Sequence, residues 1–215
     1  MIIDHNDLTA QIQNRMMGTG RWNGAYYYSL EICRNIIPNV YTDRDWVTLK
    51  VDERAADHSI YFIHNNLNPE RYAFLKRYKD VVLVCGIPET CEKVKGYGTP
   101  VYLPLSIDVE EVQAYIRPKT KDTAYVGRRA KRRDTLPEGI DYLENLPRHE
   151  LLAKMAEYRQ VYAVGRCAIE ALALGCEVLP YDHRFPDPSI WQVLDNREAA
   201  ELLQAELDDI DGRRD

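Results

Sequence analysis

The sequence predicts an α/β protein made of two Rossmann-like halves with mainly parallel sheets. Three observations lead there. Apolar segments of strand length alternate with helical patterns along the chain. Val81–Cys85 is an unbroken apolar run closed by Gly86, as in strands covered on both faces. The polar, aperiodic stretch Arg117-Pro118-Lys119-Thr120-Lys121-Asp122 separates two similar rhythms, which places the halves at 1–116 and 117–215. A single continuous sheet is the competing layout.

The elements follow from local chemistry. Tyr26–Ile37 has a helical pattern that Pro38 stops. Trp46–Val51 and Ser59–His64 read as strands, and Pro69–Tyr78 as a short helix. After Val81–Cys85, Pro88 opens a helix over Glu89–Lys95. Val101–Leu105 is a strand, and Asp108 caps a helix through Ile116. In the second half, Thr123–Val126 is a strand ending in Gly127, and Tyr142–Leu146 is a weaker one. Arg148–Tyr158 carries Leu151, Leu152, Met155 and Tyr158 on one helical stripe. Val161–Val164 is a strand ending in Gly165, and Cys167–Leu174 is a helix ended by Gly175. Glu177–Pro180 is a strand, and Ala199–Ile210 is an amphipathic closing helix.

Composition narrows the function classes. With 45% hydrophobic and 29% charged residues, the chain can build an ordinary core, so a disordered chain is excluded. No apolar run approaches the roughly 20 residues that span a bilayer. Asp4, His5, Asn6 and Asp7 are incompatible with a secretory leader. Lys and Arg total 28 against 34 Asp and Glu, and the net charge of −6 disfavours a generally basic nucleic-acid binder. The 5 cysteines fit no zinc or disulfide spacing, so buried free thiols and a cytoplasmic location are expected.

In open parallel sheets ligands lie beyond the carboxyl ends of the strands. Three segments stand out there or at a helix start. In Gly127-Arg128-Arg129-Ala130-Lys131-Arg132-Arg133, a strand ends in glycine and opens into clustered cations, which suits a diphosphate. A solvated basic loop is the alternative. In Gly165-Arg166-Cys167-Ala168-Ile169-Glu170, Glu170 is the one charge in an otherwise apolar helix. Near the positive helix end it either accepts ribose hydroxyls or serves structure, by pairing with a partner such as an arginine or by capping. Gly18-Thr19-Gly20-Arg21-Trp22-Asn23-Gly24 follows no convincing strand, so it is no dinucleotide fingerprint. Asp43-Arg44-Asp45 matches an acidic metal-binding pattern, but stands before a strand, at the wrong end for a cleft; no metal is expected. His64 and His183 stand at strand ends, where imidazole can act as a base or hold structure. Asp182 and Asp187 are similar candidates.

From Tyr125 to Tyr181 the chain resembles the donor-binding half of retaining glycosyltransferases with the GT-B fold, in a short phage or prophage type. The likeness rests on Ala124-Tyr125-Val126-Gly127-Arg128 with Lys131, on Leu146-Pro147-Arg148-His149-Glu150-Leu151, and on the block Ala168-Ile169-Glu170-Ala171-Leu172-Ala173-Leu174-Gly175-Cys176-Glu177-Val178-Leu179. Leu103-Pro104-Leu105-Ser106-Ile107-Asp108 is similar to the segment that joins the two domains. Tyr162 stands where retaining members usually carry an acidic residue, and Glu177 replaces a proline.

The resemblance implies transfer of a sugar from a nucleotide-sugar donor, such as a UDP- or GDP-sugar, to an unidentified saccharide, protein or modified DNA base. Gly127, Arg128, Arg129 and Lys131 would hold the diphosphate, with Arg128 and Lys131 stabilising the leaving group. Gly165 and Arg166 would shape the wall, Glu170 would bind the ribose, and His64 or Asn65 would face the sugar. The alternatives are a nucleotide- or partner-binding protein without catalysis, an enzyme similar to UDP-N-acetylglucosamine 2-epimerases, and a nucleic-acid-associated role.

Overall fold

The computed structural model describes residues 24–48, 55–63, 69–129, 133 and 135–212. They form an α/β structure with two separate four-stranded sheets, each wholly parallel. Contacts divide the chain into Met1–Pro104 with Asn196–Asp215, and Leu105–Asp195. The division therefore falls at Pro104, earlier than the expected break at 116, and the closing helix joins the first unit.

The first sheet consists of β1 (Asp45–Thr48), β2 (Ser59–Ile63), β3 (Val81–Cys85) and β4 (Thr99–Tyr102), side by side in chain order. Both central strands are buried at every position, as their continuous apolar character requires. Helix α1 (Gly24–Glu31) does not stop at Pro38: it widens into a π-turn over Ile32–Ile36 and tightens into a 3₁₀ turn over Ile37–Asn39. Pro38 fits because it occupies the first turn of that last segment. Pro69–Arg77 is a 3₁₀ helix rather than an α-helix. Helix α2 (Pro88–Val94) follows β3.

The second sheet contains β5 (Lys121–Gly127), β6 (Asp141–Glu144), β7 (Tyr158–Tyr162) and β8 (Glu177–Leu179), in the order β6-β5-β7-β8. Helix α3 (Val109–Gln113) precedes it and is capped as expected, with Asp108 accepting from the Glu111 N–H at 2.8 Å. Helices α4 (Arg148–Met155) and α5 (Arg166–Ala173) flank β7 in sequence. A parallel bridge between Ile107 and Asp195 ties the two ends of this unit together.

Helix α6 (Asn196–Gly212) buries Ala199, Ala200, Leu203 and Leu207. Its attachment to the first unit is specific. Asn196 donates to Glu31 at 3.0 Å, with both residues buried. Gln204 accepts from the Tyr41 N–H at 2.6 Å and returns a bond to the Tyr41 carbonyl at 3.1 Å. Arg44 reaches Asp211 at 2.6 Å.

Candidate functional site

The second sheet has a topological switch point. The chain leaves β5 toward β6, returns past β5 to form β7, and continues to β8 on the far side. Connections from β5 and β7 thus diverge, which is the topology at which open α/β sheets hold ligands. Tyr125 pairs with Tyr162 in register, so Gly127-Arg128 and Val164-Gly165-Arg166 leave the sheet nearly level with one another.

Two glycines give this edge its shape. A Cβ on Gly127 would lie 2.8 Å from the Tyr125 hydroxyl. Its absence lets Tyr125 fold back over the strand end and donate to the Arg128 carbonyl at 3.1 Å. Gly165 adopts φ 63°, ψ −137°, a conformation essentially confined to glycine, and its carbonyl accepts the first helical bonds of α5 from Ala168 and Ile169.

Arginines follow the ends of β5, β7 and β8 in the chain. Arg128 and Arg129 are exposed, and neither joins an ion pair with another described residue. Arg184 clamps Asp182, which follows β8, through both oxygens of a carboxylate that is itself fully buried. Arg133 lies 3.8 Å from the same carboxylate. The hydrogen bonds from Arg184 hold Asp182 down at about 2, overcoming the opposing effect of burial. Below these groups, Tyr125, Leu136 and Tyr181 form an apolar floor, with Tyr162 and Val164 packed against it. Tyr125 and Tyr181 meet edge to face at 5.3 Å, and burial pushes the Tyr181 phenol up, so it remains a neutral donor.

Glu170 has protein partners. Its Oε1 accepts from Arg166 Nε at 2.8 Å and from Arg148 Nε at 3.1 Å, and Arg148 also holds Glu111 at 2.5 Å. Glu170 is 2% exposed and Arg166 is 7% exposed. Of the roles that the sequence left open for this carboxylate, the structure shows the pairing with arginines. The sequence reading gives Arg148 no role at the site. A cation at the start of a helix opposes the macrodipole, and that conflict is the signal that it has a carboxylate to serve.

The remaining candidates divide. His64, Asn65, Lys131 and the Gly18–Asn23 loop lie outside the described residues. His183 is exposed, and Asp187 caps the Pro188–Ile190 turn by accepting from the Ser189 N–H at 2.9 Å. Asp43 and Arg44 belong to a charge cluster at the amino ends of the first sheet. There His58 bridges Asp80 at 2.7 Å and Asp43 at 2.9 Å, and Arg44 joins Asp80 to Asp211. Among the described residues no group of three or more His, Cys, Asp or Glu is placed to hold a metal ion. No described helix is long and apolar enough to cross a membrane.

No protein-family model matches the chain, and neither the curated proteins nor the solved structures provide a match.

Proposed function

We propose that the Leu105–Asp195 unit binds the diphosphate of a nucleotide-sugar at the carboxyl ends of β5 and β7, and that the protein transfers the sugar to an acceptor. The observation that carries this reading is the coincidence of the switch point with the arginines. Gly127-Arg128-Arg129 follows one diverging strand, and Gly165-Arg166 follows the other. Arg128 and Arg129 project from a glycine-ended strand with no competing carboxylate among the described residues. Guanidinium groups so placed give forked, charge-assisted bonds to phosphate oxygens and offset the charge that grows on a diphosphate leaving group. In this reading Glu170 is a positioning residue: it fixes Arg166 and Arg148 and does not touch the ribose.

A second reading is nucleotide binding without transfer. It is favoured by Tyr162, which ends β7 where the resembled enzymes carry an acid, and whose ring packs against the Tyr125–Tyr181 floor.

The test is calorimetric titration of UDP, GDP, ADP and TDP and their sugar conjugates. The proteins are wild type, Arg128→Gln/Arg129→Gln, and Lys121→Gln at the opposite end of β5. One nucleotide series is expected to bind. The double variant should weaken it about tenfold or more, as loss of a charge-assisted bond does, and Lys121→Gln should leave it unchanged. Equal binding by all three proteins, or binding of no nucleotide, overturns the site. Binding with no free sugar or glycosylated product from any donor selects the second reading.

A further inference from the structure

Two arginines of the Leu105–Asp195 unit meet at one buried carboxylate. Asp182 follows β8, and its side chain is fully buried. Arg184, two residues on, donates to it through Nε at 2.9 Å and through Nη2. The Arg184 backbone N–H adds a third bond, to Oδ1 at 3.1 Å. The Arg184 guanidinium also lies over the ring of Phe185, 5.6 Å from its centre, and Phe185 is itself buried beside Trp191. The second cation comes from another part of the sheet. Arg133 belongs to the connection between β5 and β6, and its Nη2 lies 3.8 Å from Asp182 Oδ2. Thr135, in the same connection, donates to the Tyr181 carbonyl at 3.1 Å. Strand β7 stands between β5 and β8, so this connection reaches across to the residues that follow β8.

The set is short of acceptors. Arg184 takes up both Asp182 oxygens, and the 3.8 Å to Arg133 is beyond hydrogen-bond range. Arg133 Nε is buried with no hydrogen-bond partner, and no described hydrogen bond engages Arg184 Nη1. A buried donor left unmade costs free energy, so it calls for a group that completes it. Both arginine side chains are 38% exposed, so a solute can reach them. Asp182 stays ionised, because Arg184 holds its carboxyl at about 2. Two guanidinium charges less one carboxylate leave a single positive charge. One further carboxylate offsets that charge, and its two oxygens match the planar donor fork of a guanidinium. A phosphate dianion would leave the set negative.

We propose that Arg133 and Arg184, gathered at Asp182, bind the carboxylate of a small organic acid at the carboxyl end of β8. The incoming carboxylate supplies the acceptor that Asp182 does not give to Arg133. Asp182 itself does not touch the ligand. With Phe185 it holds Arg184 in place before binding, so little side-chain freedom is lost when the acid arrives. The site uses none of the residues assigned above to the diphosphate.

The experiment titrates the isotope-labelled full chain with sodium glucuronate at constant ionic strength and follows backbone amide shifts by NMR. Glucose and inorganic phosphate are titrated in parallel. The amides of Arg133, Thr135 and Tyr181–Phe185 are expected to shift together and to saturate with glucuronate. Arg184→Gln should weaken the binding about tenfold or more, as loss of a charge-assisted bond does. Arg133→Gln should weaken it by less, and Lys121→Gln should leave it unchanged. Four outcomes overturn the proposal: no saturable shift with glucuronate, an equal response to glucose, tighter binding of phosphate, or wild-type affinity in both Arg184→Gln and Arg133→Gln. Binding that survives Arg133→Gln and is lost in Arg128→Gln/Arg129→Gln overturns it as well, and assigns the acid to the diphosphate site instead. The wild-type comparison of the three solutes decides the matter even where an arginine variant does not fold.

Discussion

The two sheets use charge at opposite ends. In the first sheet, Asp43, Arg44, His58 and Asp80 stand immediately before β1, β2 and β3, at the amino ends. These strands lie in chain order, so every connection steps the same way and the described sheet has no switch point. In the second sheet the chain reverses around β5, and Arg128, Arg129, Arg166 and Asp182 follow the strands at their carboxyl ends. Similar residue types therefore do different work. At the amino ends they satisfy one another and hold strand entries and α6 in place. At the carboxyl ends some satisfy one another, and Arg128 and Arg129 are exposed and join no ion pair with a described residue. Charge density alone does not mark a site; its position relative to strand direction and topology does.

The sharpest test of this contrast removes a buried carboxylate that two arginines share. Glu170→Ala would remove the buried carboxylate that Arg166 and Arg148 share, while Arg148 keeps Glu111. Breaking such a buried set by deleting one partner costs about 3–5 kcal/mol. Urea unfolding should show that loss in the transition of the Leu105–Asp195 unit. Replacing the set as a whole, as Arg148→Met/Arg166→Leu/Glu170→Met, should recover most of it, because an apolar set needs no internal pairing. A Glu170→Ala protein of wild-type stability would show that the arginines are not held by this carboxylate.

The corresponding deletion in the first sheet should cost less. The Arg44 side chain is fully buried, but its partners Asp80 and Asp211 are 25% and 42% exposed, so water can take over from the missing guanidinium. Arg44 Nε also lacks a described partner, a penalty that the wild type already carries. Arg44→Met is expected to lower stability by about 1.5–3 kcal/mol, the range for lost bonds to charged groups. A double-mutant cycle with Asp211→Asn isolates the part that fastens α6. Strict additivity would mean that the Arg44–Asp211 contact fastens nothing.

Much of this contrast was legible in the residues. Val81–Cys85 is a strand over the expected span because five consecutive apolar residues bounded by Gly86 leave few alternatives. Asp108 caps its helix because a short carboxylate before a helical turn satisfies an orphan N–H. Other elements were hidden. β4 begins at Thr99 and includes Pro100, which an edge strand tolerates and a central strand does not; sequence alone does not say which strand is the edge. β7 begins at Tyr158, before the expected Val161, because its first part is held by polar contacts. Thr123 donates to Gln160 and Gln160 to Glu177, and no apolar alternation betrays such a ladder. The switch point, and with it the meaning of Gly127-Arg128, depends on strand order, which no local pattern encodes. The return of α6 to the first unit is invisible for the same reason: an amphipathic stripe says that a face is buried, not against what.

The smallest effect concerns His58, which links two carboxylates at the amino edge of the first sheet. Hydrogen bonds that it donates to Asp80 and then to Asp43 raise its pKa, against some burial and the nearby Arg44 charge. A raised folded value means that the protonated form is favoured in the native state. The stabilisation is fully present below the unfolded histidine value of about 6.5 and is lost as pH climbs through the higher folded value. His58 is 41% exposed, so solvent screening keeps the gain below about 1 kcal/mol. Its backbone sits at φ 56°, a conformation that asparagine tolerates best after glycine, so His58→Asn removes the titration with little change in the turn. Urea midpoints measured from pH 5.5 to 8.5 should fall in the wild type relative to His58→Asn as pH rises. Parallel curves for the two proteins would show that the imidazole does not hold the two carboxylates, and that Arg44 alone organises this edge.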